Sequence, residues 1–440
     1  DAASGVAEMR FSNDGSTWSD WEPFKTSRPN WDLALFGGSS GTGPKTVHCQ
    51  VQDMSGLLSR PFTATIRLSA VHLACPLCHI SWVAFSPTDP TLIAASYQLG
   101  SNAQPGVTLW DATSGRELFT FHAPAEGFTG YWVPDITFRP DGKVIAFLYC
   151  ANPGGTICQR WDIILLEVPS GRKLRAISIP ENELGLLSLQ RAYWSTDGRA
   201  LVVLTLTPGK GQVLRLWEAS PGRELQAIHI SSKCSGLESV AFSPDSKALA
   251  TGCQYGEVVV WDVASGRDRL AWKRSVGYGG FRGVAFSPDG RTLGAWGFGA
   301  IVLWDLRSGK EIYTIEAERY GTIWLASFSP DWRVVVSYEE LGDSRTVKVR
   351  DLATGRLLHT LSGHETPVNS LAFSPDGRTV ASASEGKIKL WDVATGGELK
   401  SWDAWGYPWV SFSADGKAIV GRLRGRSGLV VWDVSDVVGR

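Results

Sequence analysis

This sequence of 440 residues has almost no net charge, few methionines and no long apolar run. The 43 Lys and Arg residues balance 44 Asp and Glu residues, so no overall field favours nucleic acid or an anionic membrane. No apolar run reaches the roughly 18 residues that a membrane-spanning helix requires. Two Met residues stand against 20 Trp residues, which indicates aromatic-rich β structure. A chain of this length and 43% apolar content can bury a large core and suggests two domains.

Motifs that would indicate catalysis are also missing. The stretch GGSSGTGPKT resembles a phosphate loop but has Pro44 in place of the lysine, and it joins two predicted strands. The stretch GYGGFRG has Arg282 where a dinucleotide fingerprint has its third glycine. The seven His residues are scattered and lack a nucleophile context. We therefore expect a non-enzymatic protein.

One acidic stretch, EELGDSR, has the residue types of a cation site. Glu339, Glu340 and Asp343 lack the spacing of a calcium-binding loop. The sequence favours a solvated turn at this point.

A turn motif recurs along most of the chain with a period of roughly 40 to 55 residues. Proline followed by Asp-Gly favours a tight turn after an apolar strand. Eight copies are AFSPTD, TFRPDG, YWSTDG, AFSPDS, AFSPDG, SFSPDW, AFSPDG and SFSADG, beginning at residues 84, 137, 193, 241, 285, 327, 372 and 411.

A second mark follows most copies: an alternating strand that ends in Trp-Asp. With it, residues from about 70 to 435 resemble the WD-repeat β-propeller family. Arg350-Asp351, Leu166-Glu167 and Trp217-Glu218 depart from the pattern, and the family's Gly-His pair stands in full only at Gly363-His364. The family's polar network is thus expected to be mostly absent. Trp-Asp itself stands at residues 110–111, 261–262, 304–305, 391–392 and 432–433.

Eight turn copies predict an all-β fold with an eight-bladed propeller over residues 69–440. The last copy stops after its third strand, so residues 69–74 are predicted to supply its outer strand and close the ring. Seven blades is the alternative, if the irregular copy near 184–230 is an insertion.

Residues 1–68 lack the repeat and resemble a partial immunoglobulin-like module of bacterial surface proteins. The resemblance rests on SGVAEMRFSNDGSTWSDWEPF and KTVHCQVQDMSG, and it implies a small β-sandwich with strands missing ahead of Asp1. An open edge beside Ala7, Met9 and Phe11 would then recruit another strand. That strand could belong to an upstream segment, another copy of the chain in a filament, or a partner protein.

The cysteines occur in close pairs. Cys150 with Cys158 and Cys234 with Cys253 are predicted disulfides, because each pair spans neighbouring strand ends within one blade. Such pairs indicate an oxidising compartment, so we expect an extracellular, cell-surface or periplasmic protein.

The stretch CPLCH at residues 75–79 has the form of a covalent haem site. Cys75 and Cys78 would bond haem c, with His79 as its proximal ligand, in an electron-transfer protein. No helical cytochrome pattern surrounds the stretch. A disulfide or free thiols without any cofactor is the favoured interpretation, with a zinc site as a further alternative.

Aromatic residues gather in the predicted connectors between blades. Protein-binding surfaces are generally enriched in aromatic residues. This pattern predicts an exported scaffold that holds a protein partner on a disulfide-stiffened loop face. Carbohydrate binding is a second alternative, which rests only on the high Trp content of the chain. The predicted partner-binding residues are Phe128, Tyr131, Trp132, Tyr278, Phe281, Tyr320, Trp324, Trp405, Tyr407 and Trp409.

Overall fold

The computed structural model has β-strands joined by turns in all the parts of the chain that it describes. None of the described segments is a helix long and apolar enough to cross a membrane. The described residues are 6–12, 14, 18–20, 22–23, 43–53, 62–68, 70–74, 78–99, 105–123, 135–154, 157–179, 192–207, 211–220, 222–230, 232–234, 236–274, 279–297, 299–317, 322–341, 344–403, 409–421 and 428–438.

The first four strands form one antiparallel sheet. They are β1 (Val6–Ser12), β2 (Glu22–Pro23), β3 (Gly43–Asp53) and β4 (Phe62–Leu68), in the order β2-β1-β3-β4. β2 pairs with β1 only opposite Glu8 and Met9. The alternating stretches are thus strands, as the sequence predicted, whereas the immunoglobulin-like resemblance stays a prediction.

Eight further four-stranded sheets are the blades of a propeller. Blade 1 is β6 (Cys78–Phe85), β7 (Leu92–Leu99), β8 (Pro105–Asp111) and β9 (Glu117–His122). Blade 2 is β10 (Asp135–Phe138), β11 (Val144–Gly154), β12 (Ile157–Glu167) and β13 (Lys173–Ile179). Blade 3 is β14 (Ala192–Trp194), β15 (Ala200–Thr207), β16 (Gly211–Glu218) and β17 (Glu224–His229). Blade 4 is β18 (Leu237–Phe242), β19 (Ala248–Cys253), β20 (Glu257–Asp262) and β21 (Asp268–Lys273).

The second half of the ring repeats this architecture. Blade 5 is β22 (Phe281–Phe286), β23 (Thr292–Gly297), β24 (Ala300–Asp305) and β25 (Glu311–Glu316). Blade 6 is β26 (Thr322–Phe328), β27 (Val334–Leu341), β28 (Ser344–Asp351) and β29 (Leu357–Leu361). Blade 7 is β30 (Val368–Phe373), β31 (Thr379–Ser384), β32 (Lys387–Asp392) and β33 (Glu398–Asp403). Blade 8 is β34 (Ser411–Phe412), β35 (Ala418–Gly421), β36 (Gly428–Asp433) and β5 (Ala70–Ala74).

The ring closes where its two ends pair. β5 lies antiparallel to β36, with Ala74 opposite Gly428 and Ala70 opposite Trp432. The inner strands contact one another in sequence around the ring, and β34 of blade 8 contacts β6 of blade 1. Eight blades are therefore confirmed. The irregular copy near 184–230 forms the complete sheet of blade 3.

The repeated turn has a chemical basis in its serine. Ser243 Oγ donates to Asp245 Oδ1 at 2.6 Å and accepts the Ala248 N–H at 2.9 Å. Asp245 Oδ1 also accepts the Lys247 N–H at 3.1 Å. Five other blades repeat this bonding and use Ser195, Ser287, Ser329, Ser374 and Ser413.

The Trp-Asp pair fills the space between blades and holds the next turn. Trp304 is 2% exposed and stacks on Trp272 of the preceding blade, with ring centroids 4.9 Å apart. Asp262 Oδ1 accepts both the N–H and the hydroxyl of Ser265 at 2.8 Å. The tryptophan thus contributes to the core, whereas the aspartate stabilises the hairpin that follows.

Candidate functional site

The connector face is the surface formed by the links from an outer strand to the next inner strand, together with the turns between second and third strands. On it, a groove crosses blades 5, 6 and 7 and encloses about 410 Å³. That volume falls within the range of ligand-binding clefts. We call it the Trp324 groove; its lining residues are Arg282, Trp324, Leu325, Tyr338, Pro367, Val368 and Asn369.

β-bulges place the key side chains in this groove. Phe281, Ile323 and Val368 are at most 3% exposed, near the beginnings of three successive inner strands. The pairing of each strand with its neighbour shifts register directly after these buried positions. The extra residues at these shifts are Arg282, Trp324 and Asn369, which line the groove.

Trp324 is the exposed aromatic centre of the groove. It is 36% exposed, and the Arg282 guanidinium lies over its ring, 3.9 Å from the centroid. Tyr338 contributes a buried aromatic wall at 2% exposure. The site therefore combines the residue types that dominate protein-binding hot spots, namely Trp, Arg and Tyr.

Two other predicted partner-binding residues do not belong to an exposed surface. Phe281 is 1% exposed, and its ring meets the Trp304 ring edge-on at 5.9 Å, so its assignment to the binding surface is wrong. Trp409 is partly buried and packs against the core between blades 8 and 1. Seven predicted residues lie outside the described part of the chain: Phe128, Tyr131, Trp132, Tyr278, Tyr320, Trp405 and Tyr407.

A disulfide stiffens the connector face beside the groove. Cys234, in the connector before β18, is bonded to Cys253 at the end of β19, with Cα atoms 5.4 Å apart. Gly280 packs so closely here that a Cβ atom on it would lie 2.1 Å from the Cys253 carbonyl oxygen. Since Gly280 immediately precedes Phe281 and Arg282, the bridged turn supports the backbone that presents Arg282.

For Cys78, Cys150 and Cys158 the structure describes only the backbone. Cys150 lies opposite Trp161, and Cys158 lies opposite Pro153, so the two are not direct cross-strand partners. Their side chains lie outside the described part, and this disulfide stays a prediction. Cys78 and His79 begin β6, opposite Leu99 and Gln98. Cys75 and the side chains of Cys78 and His79 also lie outside the described part, so the haem and disulfide interpretations stay predictions.

Blade 6 has a buried ionic cluster where other blades have tryptophan. Arg350 donates to Glu339 Oε1, and Lys348 Nζ lies 3.1 Å from Glu339 Oε2. These three side chains are only 3% to 8% exposed. The predicted solvated turn is therefore wrong at Glu339, because Arg350 and Lys348 from the neighbouring strand stabilise its charge. Within the described residues, no three His, Cys, Asp or Glu side chains gather as a metal site.

Blade 7 has the polar hydrogen-bond network that the sequence predicted only where the Gly-His pair is complete, at Gly363-His364. His364 lies 2.6 Å from both Ser382 Oγ and Ser384 Oγ, and the Trp391 indole donates to Ser382 at 2.8 Å. Burial, followed by the charge of Lys389, lowers the pKa of His364 to about 4. Its neutral form therefore joins the blade 6 connector to blade 7.

Comparison with known proteins finds repeats described as "WD domain, G-beta repeat" at residues 225–262 and 355–392. Each match runs from one outer strand through three strands of the next blade. These are blades 4 and 7, where Trp261 donates to Thr251 at 3.0 Å and Trp391 donates to Ser382.

Relatives with this similarity cover only part of the chain. The serine-threonine kinase receptor-associated protein of Gallus gallus is 28% identical over 300 residues, 67% of this chain and 63% of that protein. Meiotic recombination protein rec14 of Schizosaccharomyces pombe is 35% identical over 103 residues, 23% of this chain and 32% of its own length. Protein TOPLESS of Arabidopsis thaliana is 36% identical over 104 residues, 22% of this chain and 9% of its length. The chain thus spans less than two thirds of each relative.

Proposed function

Because this chain builds an eight-bladed propeller that contains WD40 repeats, we propose that it is a non-enzymatic scaffold that holds a protein partner at the Trp324 groove. The observation that carries the proposal is the exposed Trp324 ring, held under Arg282 in a groove of about 410 Å³. Large aromatic and Arg side chains in partly desolvated clefts supply most of the energy of protein association.

The form of the groove favours a macromolecular occupant. Its lining residues come from three successive blades, so an extended chain can cross it from one blade to the next. The Gallus gallus relative is named for association with a serine-threonine kinase receptor, which states a binding role for that protein. A scaffold role here agrees with that kind of relative.

We also propose that the protein works outside the reducing cytosol. The Cys234–Cys253 bridge supports this proposal, because structural disulfides persist mainly in exported proteins. Cell fractionation with antibody detection tests it. Recovery of the native protein in the extracellular, surface or periplasmic fraction is expected, and recovery only in the cytosol contradicts it.

A pull-down of partner proteins with wild type and matched variants tests the scaffold role. Immobilised wild type, Trp324→Ala and Leu399→Ala are incubated with extract from the producing cells, and retained proteins are identified by mass spectrometry. Leu399 is the control because it is 37% exposed, nearly the same as Trp324, but lies on an outer strand. We expect a protein retained by wild type and Leu399→Ala and lost with Trp324→Ala. Equal retention by all three chains contradicts the proposal.

A further inference from the structure

We infer that the Trp324 groove binds an uncharged, extended segment of the partner by its main chain, through the side-chain carboxamide of Asn369. An apolar side chain of the same segment packs against Trp324 and Pro367. This inference rests on the proposed scaffold function and adds which chemical groups of the partner are recognised.

A β-bulge presents Asn369 to the groove. The pairing of β30 with β31 shifts register between Val368 and Ser370, so Asn369 is the extra residue. Bulges release a side chain from the regular alternation of a strand and often occur beside functional sites. Trp324 is the extra residue of the equivalent bulge in blade 6, and the two inner strands contact each other. The carboxamide and the indole are therefore neighbours along the groove.

The carboxamide of Asn369 is not used by the fold. Asn369 is half-buried, yet within the described part of the chain its carboxamide makes no hydrogen bond. The next residue, Ser370, has a structural role instead, because its hydroxyl accepts the Val410 N–H of blade 8 at 3.2 Å. An occupant of the groove that displaces water from Asn369 must therefore supply hydrogen-bonding groups of its own.

The carboxamide matches the chemistry of a peptide backbone. It has an acceptor oxygen and a donor nitrogen side by side, so it can accept one peptide N–H and donate to one peptide C=O. An extended segment offers such groups along its length, and main-chain hydrogen bonds supply affinity when extended peptides are bound. A saccharide fits less well, because Arg282 and Tyr338 already have other contacts and Asn369 alone would meet its several hydroxyl groups among the described lining residues.

The remaining surface of the groove favours an uncharged segment. Leu325, Pro367 and Trp324 offer apolar area, and burying an apolar side chain against them is favourable. Arg282 lies over the Trp324 ring and has further contacts, so its charge does not call for an anionic occupant. A charged side chain placed here would lose hydration that apolar walls do not replace. The matching segment thus has apolar residues beside the peptide group that meets Asn369.

Selection from a displayed library of random short peptides supplies a ligand while the partner is unidentified. The C-termini are fused to the carrier, so no terminal carboxylate is offered. The full chain is the bait, and peptides that also bind the Trp324→Ala chain are removed. We expect enrichment of sequences that share apolar residues and no charged residue. Absence of enrichment, or a shared motif built on charged residues, overturns the inference.

Ester substitution in one selected peptide then tests main-chain recognition directly. Replacing one amide at a time by an ester removes an N–H without changing a side chain. At one position the ester should weaken binding to wild type by about fivefold, measured by fluorescence anisotropy, because a peptide hydrogen bond is lost. The same ester should leave binding to Asn369→Leu unchanged, since that chain has no group to form the bond. Equal ester effects on both chains at every position overturn the inference.

Variants of the chain separate this role from a structural one. Asn369→Leu should bind the all-amide peptide about tenfold more weakly, because two hydrogen bonds are lost. Asn369→Asp keeps an acceptor but loses the donor, so it should also bind more weakly than wild type. Glu238→Gln is the control and should bind like wild type, since Glu238 is the extra residue of the corresponding bulge in blade 4 and is not among the described residues that line the groove. Wild-type affinity in Asn369→Leu, or the same loss in Glu238→Gln, overturns the inference.

The two proposals fail in different ways. If Trp324→Ala abolishes partner capture but Asn369→Leu leaves it unchanged, the scaffold role stands and the main-chain inference is wrong. If Trp324→Ala leaves capture unchanged, the scaffold role at this groove is itself wrong. Binding to an oligosaccharide array that is lost with Asn369→Leu, without any selected peptide, would assign the groove to carbohydrate and overturn both.

Discussion

His364 Nε2 lies 2.6 Å from the hydroxyl oxygen of Ser382. The same hydroxyl accepts the indole N–H of Trp391 at 2.8 Å, while His364 Nδ1 lies 2.6 Å from Ser384. His364 belongs to the connector that follows blade 6, and the two serines belong to blade 7. The imidazole therefore joins neighbouring blades through hydrogen bonds in a setting where only 6% of the residue is exposed.

This contact predicts a loss of stability in mild acid. The pKa of His364 is lowered from 6.5 to about 4 by burial and then by Lys389, with Glu398 opposing. Between these values the unfolded chain binds the proton more readily, so the free energy of unfolding falls as pH drops from 6.5 towards 4. The largest loss from this group is about 3 kcal/mol. Urea midpoints across this range should decline for wild type more than for His364→Gln, and parallel declines contradict the assignment.

Loss of the Cys234–Cys253 bridge should destabilise the chain. The bonded residues are 19 apart, and closing a loop of this size stabilises a fold by about 3 kcal/mol. The double variant Cys234→Ser, Cys253→Ser is therefore expected to melt at a lower temperature under non-reducing conditions. Peptide mapping without reduction should recover the two cysteines in one linked pair. Recovery of both as free thiols contradicts the bridge.

The buried cluster of blade 6 should be far more sensitive than a surface ion pair. Glu339→Ala leaves Arg350 and Lys348 without their carboxylate in the interior, at an expected cost of about 3 to 5 kcal/mol. Asp403→Ala is the control, because Asp403 pairs with Lys387 at 2.7 Å on the surface, and such pairs contribute about 0 to 1 kcal/mol. Denaturant midpoints measure both. Similar shifts for the two variants contradict the proposed role of the cluster.

The paired ends of the ring predict an effect of truncation. A chain that begins at Ser69 keeps β5, whereas a chain that begins at Cys78 leaves β36 with an open edge and exposes the core around Leu429. Only the longer chain should show a cooperative thermal transition as a monomer. A matching transition from the shorter chain would show that β5 is not needed for closure.

Much of the fold can be predicted from the sequence, because its signals are local. Seven of the eight repeated turns have a serine and an aspartate within a few residues, and five of the eight have a glycine, so eight turns indicated eight blades. The lack of a last outer strand likewise indicated that residues 69–74 complete it, and Ala70–Ala74 does so.

The site was harder to predict because its residues come from different blades. Phe281 and Arg282 are adjacent, yet the first is buried and the second, at a β-bulge, lines the groove. Comparing the inner strands of all copies at these two positions would have distinguished them. Arg350 was recognised only as a departure from Trp-Asp, because its partner Glu339 lies across a hairpin and no local pattern joins them.

Photocrosslinking from the groove tests the scaffold role most directly. Trp324→p-benzoyl-phenylalanine and, as the control, Leu399→p-benzoyl-phenylalanine are illuminated with the protein identified by capture. We expect a covalent adduct from position 324 and none from position 399. No adduct from position 324, or equal adducts from both positions, would contradict the claim that this propeller holds its partner at the Trp324 groove.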